Sequence, residues 1–185
     1  MAHDVCPWWL GYFLASPLRR LRHDPRAILS PHVREGMTVL EPGPGMGFFT
    51  LELARLVGPS GRVIALDVQE QMLTRLGRKL ERAGLGERVE RRVVGAESLR
   101  LGPRAAKVDF ALVFAVLHEV PDQQRFLQEI RACLKRGGRV LLSEPAHHVT
   151  GEAFDASVAV ALGAGFARVG DAAIRSMHSV ILQKP

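Results

Sequence analysis

The sequence has 185 residues, which is enough for one domain with its own core and leaves little room for a second. Its composition of 47% hydrophobic and 24% charged residues is typical of a globular protein and excludes a disordered or collagen-like chain. No apolar run is long enough to cross a bilayer, so we expect no membrane-spanning segment.

The formal net charge of +6 raises the question of a nucleic-acid partner, because clustered basic residues bind phosphates. The basic residues are spread along the chain with acidic residues between them, and the densest run, residues 19–23, is short. We therefore expect a solvated basic surface and no nucleic-acid substrate.

The two cysteines, Cys6 and Cys133, lie far apart, so neither a disulfide framework nor a paired-cysteine metal site can be drawn. The apolar run at residues 8–15 follows an acidic residue and precedes basic ones, which is the reverse of a secretory signal. We therefore predict a cytoplasmic protein.

Residues 1–37 are rich in Trp, Pro and Arg, and we predict a helical N-terminal segment there, separate from a main domain at residues 38–185. From Thr38 onward, short apolar runs alternate with amphipathic stretches, which indicates successive βα units and a mostly parallel sheet. The predicted strands are residues 38–41, 62–67, 89–94, 108–114 and 139–143, and the predicted helices are residues 48–57, 69–83 and 122–135, the last closing at Gly137 and Gly138.

The C-terminal stretch has a different pattern, with a helix predicted over residues 152–162 and strands over residues 167–172 and 176–183. A parallel crossover needs about a dozen residues, which the link between these strands does not provide. They must pair as an antiparallel hairpin, or one must be inserted beside the other. We expect an antiparallel strand at this edge of the sheet.

The most informative stretch is residues 39–50, where an apolar strand runs into glycines and then into an amphipathic helix. Glycine permits positive φ and lets the backbone approach a ligand, although a tight loop without a ligand gives the same pattern. The dinucleotide pattern GxGxxG fails, because Phe48 or Thr50 stands where its third glycine belongs. The phosphate loop fails because no lysine follows the glycines.

An acidic residue followed by glycines at every second position remains: Glu41, Gly43, Gly45 and Gly47. This pattern resembles motif I of class I S-adenosylmethionine-dependent methyltransferases, [DE]xGxGxG. Residues 134–145 are similar to the LkpGG element of that family, and residues 108–122 are similar to its ubiquinone and menaquinone branch. The resemblance implies an α/β fold, a Rossmann-like doubly wound, mostly parallel seven-stranded sheet with an antiparallel C-terminal strand.

The same resemblance implies S-adenosylmethionine as cofactor, with Glu41 orienting the turn and the cofactor's ammonium. Asp67, at the end of the second strand, is expected to accept hydrogen bonds from the ribose, although it could simply cap the next helix. Residues 95–99 resemble the adenine-contacting loop, with Ala96 where the family carries Asp or Asn. The expected cofactor contacts are Glu41, Gly43, Pro44, Gly45, Met46, Gly47, Asp67, Val68, Met72, Ala96, Glu97, Ser98, Phe114 and Ala115.

His118 follows the fourth strand, in a loop that lies beside the transferred methyl group in the family. We expect it to be the catalytic base for a phenol, thiol or carbon acid, although a surface histidine before a helix gives the same pattern. By elimination, the acceptor is expected to meet Trp8, Trp9, Tyr12, His147 and His148. The aromatic residues could equally pack the N-terminal segment onto the sheet, and the adjacent histidines lack metal-ligand spacing, so we predict no metal.

The predicted function is methyl transfer from S-adenosylmethionine to a small-molecule acceptor by in-line displacement, in which the protein mainly positions the acceptor and excludes water. The motifs of DNA amino-methyltransferases and of cytosine-C5 methyltransferases are missing after the fourth strand. Two other functions stay open: a cofactor-binding subunit without independent turnover, and a nicotinamide-dependent oxidoreductase, which the failed GxGxxG pattern disfavours. A homodimer also stays open.

Overall fold

The computed structural model describes residues 23–99, 101 and 106–185. Within these residues the helices are α1 Pro25–Leu29, α2 Thr50–Leu56, α3 Glu70–Arg82, α4 Gln123–Cys133 and α5 Gly151–Gly163, with 3-10 turns at Gly86–Arg88 and Leu117–Glu119. The strands are β1 Thr38–Pro42, β2 Arg62–Asp67, β3 Val89–Val93, β4 Val108–Phe114, β5 Leu134–Pro145, β6 Ala167–Asp171 and β7 Met177–Gln183. None of the described helices is long and apolar enough to span a bilayer.

The seven strands form a sheet in the order β3-β2-β1-β4-β5-β7-β6. β2 runs parallel to β1 and β3, and β5 runs parallel to β4. β7 is antiparallel to both of its neighbours, β5 and β6. The predicted fold class is therefore confirmed, and the C-terminal strands adopt both predicted arrangements: β6 and β7 pair as a hairpin, and β7 is inserted beside β5.

The chain divides into two compact units, one ending at Val94 and the other beginning at Gly95. The predicted division at residues 37 and 38 stays a prediction, because most of the N-terminal segment lies outside the described residues. Its described part contains α1, where Pro25 is the first helical residue and the Asp24 side chain accepts a hydrogen bond from the Arg26 N–H (2.9 Å).

In the first unit, β1 and β2 are largely buried strands, and α3 packs with one face against β2 and β3. The buried residues of α3 recur at helical spacing, at Met72, Leu73, Leu76 and Leu80, because only one side of the helix meets the sheet. The helix ends at Gly84, whose φ of +66° is the left-handed conformation that closes many helices.

In the second unit, α4 begins as predicted, with the Asp122 side chain accepting from the Arg125 N–H at 2.9 Å. The predicted end of this helix at Lys135 is wrong. Leu134 is already extended (φ −69°, ψ 141°) and pairs with Val108, so the helix stops at Cys133 and β5 starts at once. The glycines lie inside β5, where a Cβ on Gly138 would come within 2.9 Å of the Lys135 carbonyl oxygen.

Candidate functional site

The glycine turn, residues 42–47, connects β1 to the loop before α2. Its three glycines, Gly43, Gly45 and Gly47, have φ values of +67°, +53° and +84°, which residues with a Cβ adopt only at a cost. The Gly43 N–H donates to the Leu66 carbonyl oxygen (2.8 Å), which ties the turn to β2. The predicted reason for the glycines, a backbone of positive φ at the strand end, is therefore confirmed.

Two glycines of the turn differ in what surrounds the missing side chain. A Cβ on Gly47 would lie 2.5 Å from the Leu76 Cδ1 and 2.9 Å from the Leu51 Cδ1, so this glycine lets the turn pack closely. A Cβ on Gly45 would meet nothing within 4 Å. Packing therefore explains Gly47, whereas the open space at Gly45 leaves room for a ligand against the backbone.

Glu41 is a buried carboxyl group at the end of β1, with only 3% of the residue exposed. Its Oε2 has no hydrogen-bond partner among the described residues. Burial raises its pKa to about 7, the Thr50 side chain lowers it, and the charge of Asp67 raises it further. The Thr50 hydroxyl is not in hydrogen-bonding geometry, so burial dominates. A buried carboxyl group with an unused acceptor needs an explanation, and a bound cation supplies one.

Asp67 ends β2 and is also buried. Its Oδ1 accepts from the Gln69 N–H (2.9 Å) and its Oδ2 from the Gly45 N–H (3.3 Å). Burial raises its pKa, and the hydrogen bonds from the backbone N–H groups of Gln69, Gly45 and Val68 lower it. Asp67 therefore joins the glycine turn to Gln69, the N-cap residue of α3, and is not itself the cap of that helix. Its contact with a ribose stays a prediction.

Lys79 is a residue of this region that the sequence analysis missed. Its Nζ donates to the Met46 carbonyl oxygen at 2.8 Å, although the two residues are 33 positions apart. Burial lowers its pKa. Nothing in the spacing marks Lys79, which reads as a surface residue of α3. Of the other predicted contacts, Pro44, Met46 and Met72 are buried, whereas Val68 is exposed.

The predicted adenine loop lies in the second unit. Ala96 and Glu97 are exposed, whereas the Ser98 hydroxyl donates to the Glu129 Oε2 at 3.2 Å. The same carboxylate oxygen accepts from the Leu99 N–H at 2.7 Å. Glu129 on α4 thus fixes this loop, and the roles of its residues toward adenine stay predictions.

His118 lies in the 3-10 turn after β4 and contacts a carboxylate that the sequence analysis did not assign. Its Nδ1 is hydrogen-bonded to the Oε2 of Glu144, a residue of β5 that is only 1% exposed. The Glu144 Oε1 accepts from the N–H groups of Leu117 (2.8 Å) and Val116 (3.2 Å). His118 is therefore a partly exposed histidine with a buried carboxylate partner, and its role as the base stays a prediction.

The charges around His118 favour its protonated form. Its pKa is raised first by the hydrogen bond to Glu144, against a lowering by burial, and then by the charges of Glu144 and Glu119. The Glu119 Oε1 lies 3.9 Å from the His118 Nε2. Because a carboxylate can only accept, the His118 Nδ1 must carry a proton, and Nε2 is the unprotonated nitrogen of the neutral ring.

Among the residues predicted to meet the acceptor, His147 and His148 are exposed neighbours of His118. The ring centroids of His118 and His148 are 6.2 Å apart, and those of His147 and His148 are 4.4 Å apart. Trp8, Trp9 and Tyr12 lie outside the described residues. Within residues 23–99, 101 and 106–185, no group of three or more His, Cys, Asp or Glu side chains is suited to hold a metal ion.

The sheet itself contains the signal that could have identified Glu144. In the parallel pair of β4 and β5, Phe114 is level with Ser143, so the residues that follow both strands meet at the same edge. A carboxylate next to Ser143 is therefore placed near the turn that carries His118. The acceptor contacts predicted from the sequence include His147 and His148, which follow β5, but not Glu144.

Comparison with known proteins places this chain in a family. A family model described as a methyltransferase domain matches residues 33–164. A S-adenosylmethionine-dependent methyltransferase from Aquifex aeolicus has a similar crystal structure, with a TM-score of 0.87 and 25% identity over 98% of this chain and 100% of that one. The chain belongs to the methyltransferase-domain family, in the class I group whose cofactor is S-adenosylmethionine.

Curated relatives fall in the branch that the sequence analysis named. The chain is 32% identical over 126 residues to the ubiquinone/menaquinone biosynthesis C-methyltransferase UbiE of Hahella chejuensis, which covers 66% of this chain and 50% of the relative. It is 34% identical to the protein of the same name from Klebsiella pneumoniae over 127 residues, and this alignment covers 67% of this chain. The chain spans half the length of both relatives.

Proposed function

We propose that this chain transfers a methyl group from S-adenosylmethionine to a small-molecule acceptor. The observation that carries the proposal is the buried Oε2 of Glu41, which lacks a hydrogen-bond partner among the described residues, on the strand that leads into the open turn at Gly45. The cofactor carries an ammonium group that can donate to such an oxygen, and a carboxylate is favourable beside positive charge. When bound, S-adenosylmethionine supplies a methyl group on a positively charged sulfur.

The residues present fit this cofactor. The Glu41 Oε2 is an acceptor without a hydrogen-bond partner in the described chain, and the space beside the Gly45 Cα is open. Asp67 is buried, its oxygens accept from the Gly45 and Gln69 N–H groups, and a carboxylate has further lone pairs that a ribose hydroxyl can use. The remaining cofactor contacts predicted from the sequence are part of this proposal.

His118 is the proposed acceptor-side base. Its Nδ1 is occupied by Glu144, so Nε2 is the atom that takes a proton from the hydroxyl, thiol or acidic carbon of the acceptor. His147 and His148 are the proposed acceptor contacts within the described residues. A small-molecule acceptor is supported by the names of the curated relatives, which are methyltransferases of ubiquinone and menaquinone biosynthesis. A cytoplasmic location and a homodimer stay predictions.

The cofactor proposal is tested by calorimetric titration with S-adenosylmethionine and with NADH. The variants are Gly45→Ala and its matched control Gly84→Ala: both glycines have positive φ, and a Cβ at either meets nothing within 4 Å. The two variants therefore share the same backbone strain. We expect wild type and Gly84→Ala to bind S-adenosylmethionine, and Gly45→Ala to bind at least about tenfold more weakly, because its methyl group fills the ligand space.

Equal affinity in the two variants, or binding of NADH in place of the methyl donor, would overturn the proposed cofactor site. Turnover is then measured with candidate phenol, thiol and carbon-acid acceptors on wild type and His118→Ala. We expect loss of about a hundredfold in kcat, the usual contribution of a general base. Unchanged turnover in His118→Ala would show that His118 is not the base. Cofactor binding without any turnover would support a cofactor-binding subunit.

A further inference from the structure

Glu144 is a buried carboxylate of the second unit, and both of its oxygens accept hydrogen bonds. One oxygen accepts from the two successive backbone N–H groups of Val116 and Leu117, and the other is bonded to the His118 ring. The side chain is buried and its partners are three consecutive residues after β4. A single carboxylate therefore fixes both the backbone that carries His118 and the orientation of its ring.

We propose that Glu144 is a positioning residue that holds His118 in the Nδ1–H form, so that Nε2 faces the acceptor as the proton-accepting atom. This inference rests on the proposed function, because it gives His118 its direction as a base. A carboxylate accepts and never donates, so a hydrogen bond from Nδ1 selects one of the two neutral forms of the ring. A buried acceptor of this kind holds the ring in the correct orientation without itself taking the proton.

The backbone around His118 is built to present its N–H groups to this carboxylate. Ala115 has a φ of +55°, a left-handed conformation that is costly for a residue with a side chain. Its own N–H donates to the Ser143 carbonyl oxygen at 2.8 Å, so the chain leaves β4 at a fixed point beside β5. The next two N–H groups donate to the Glu144 Oε1, and these hydrogen bonds offset part of the conformational cost at Ala115.

A purely structural role would also explain the backbone contacts, because Glu144 ties the end of β4 to β5. The two roles differ in what the charge does. A glutamine at this position can still accept from Val116 and Leu117, but its amide nitrogen can donate to Nδ1 and its charge is gone. Only the positioning role predicts that this change alters the proton state of His118.

Three titratable side chains contact His118 within the described chain. Glu144 meets Nδ1, Glu119 lies 3.9 Å from Nε2, and the His148 ring is stacked at 6.2 Å. Both carboxylates favour the charged imidazolium, whereas a charged His148 opposes it. Glu119 provides the matched control, because it is a second carboxylate near the same ring, it is more exposed, and it meets the other nitrogen.

The test is long-range ¹H–¹⁵N NMR of the full chain labelled with ¹⁵N-histidine, recorded against pH without cofactor or acceptor. His118→Gln assigns the signals, and Glu144→Gln is compared with Glu119→Gln. We expect wild-type His118 to show a protonated Nδ1 and an unprotonated Nε2 in its neutral form, with a midpoint above the ordinary 6.5. Glu144→Gln should lower the midpoint and mix the two forms, and Glu119→Gln should keep the Nδ1–H form.

A wild-type ring with its proton on Nε2 would overturn the inference, and so would a Glu144→Gln spectrum identical to wild type. The wild-type spectrum alone tests the claim if the variant does not fold. Once an acceptor is identified, Glu144→Gln should lower kcat roughly tenfold to a hundredfold with little change in the KM for S-adenosylmethionine. The NMR result needs no ligand, so a failure of methyl-donor binding and a failure of this inference are seen separately.

Discussion

The two carboxylates at strand ends, Glu41 on β1 and Glu144 on β5, are buried to nearly the same degree but differ in what they bind. Glu41 has an oxygen without a partner among the described residues, and its pKa is raised to about 7 by burial. Glu144 accepts three hydrogen bonds through both oxygens. A carboxylate whose oxygens are all hydrogen-bonded within the protein fixes the position of the residues around it. A carboxylate with an unused acceptor oxygen can instead bind a cation from solution.

Removing Glu144 altogether has the largest expected effect. Glu144→Ala leaves two backbone N–H groups and the His118 Nδ1 without an acceptor, so we expect a loss of about 3 kcal/mol in the free energy of unfolding. Urea denaturation measures it. Glu144→Gln, which keeps an acceptor for the backbone, should lose clearly less; equal losses would show that the backbone contacts contribute nothing.

The raised pKa of Glu41 predicts a pH dependence of nearly the same size. Its pKa is about 7 in the folded chain against an ordinary 4.5, so the folded state binds the proton more tightly. The associated stabilisation is complete below about pH 4.5 and is lost as the pH rises to about 7, a total of about 3 kcal/mol. The check is the unfolding free energy of wild type minus that of Glu41→Gln between these limits.

In that difference the glutamine does not titrate, so the other groups of the chain largely cancel. We expect Glu41→Gln to match wild type at low pH and to be the more stable protein at pH 8. The same change in Glu144 should lower stability at pH 8. If both variants moved in the same direction at pH 8, the distinction between a satisfied and an unsatisfied carboxylate would be lost.

At pH 8, Glu41→Gln should raise the free energy of unfolding but weaken the binding of S-adenosylmethionine. Loss of its charge removes a charge-assisted hydrogen bond to the cofactor's ammonium, which is worth roughly 2 kcal/mol or about thirtyfold in Kd. Calorimetric titration of S-adenosylmethionine measures this. Wild-type affinity should also weaken as the pH falls below about 7, because the carboxylate becomes protonated, whereas Glu41→Gln should lack that dependence. A variant that binds as tightly as wild type at pH 8 would place the ammonium elsewhere.

The smallest expected effect concerns the left-handed backbone positions after β4 and after α3. Ala115 has a φ of +55°, so Ala115→Gly should relieve strain and raise the unfolding free energy by up to about 1 kcal/mol. Gly84→Ala makes the reverse change at a φ of +66° and should lower it by a similar amount. Chemical denaturation of the two variants measures whether the free energy of unfolding rises or falls in each. A loss of stability in Ala115→Gly would show that the left-handed turn is not strained.

Most of the fold could be predicted because its central strands are buried on both faces. The bounds of β2 and β4 are as predicted, since their apolar runs end at sharp changes in polarity. The start of β5 was missed because Gly137 and Gly138 read as a helix stop. They instead lie inside β5, where Gly137 has a φ of +78° and a Cβ on Gly138 would come within 2.9 Å of the Lys135 carbonyl oxygen.

The part of the candidate site that lies in consecutive residues was predicted from the sequence. The part that forms only when strands pair in the sheet was missed. The order of Glu41 and the alternating glycines is contained in seven consecutive residues. The bond between His118 and Glu144 joins residues 26 positions apart, and its existence depends on the register of β4 against β5. Sequence patterns report neighbours along the chain, so contacts of this kind need the strand order as well.

The position of β7 has a consequence for how the second unit is assembled. β7 lies between β5 and β6 although it follows both in the chain, and Arg139 is paired with Gln183. β6 therefore has no strand to join until the residues of β7 have been synthesised. During synthesis the backbone edge of β5 that pairs with β7 therefore stays unpaired, and this part of the sheet closes only after residue 183 has left the ribosome.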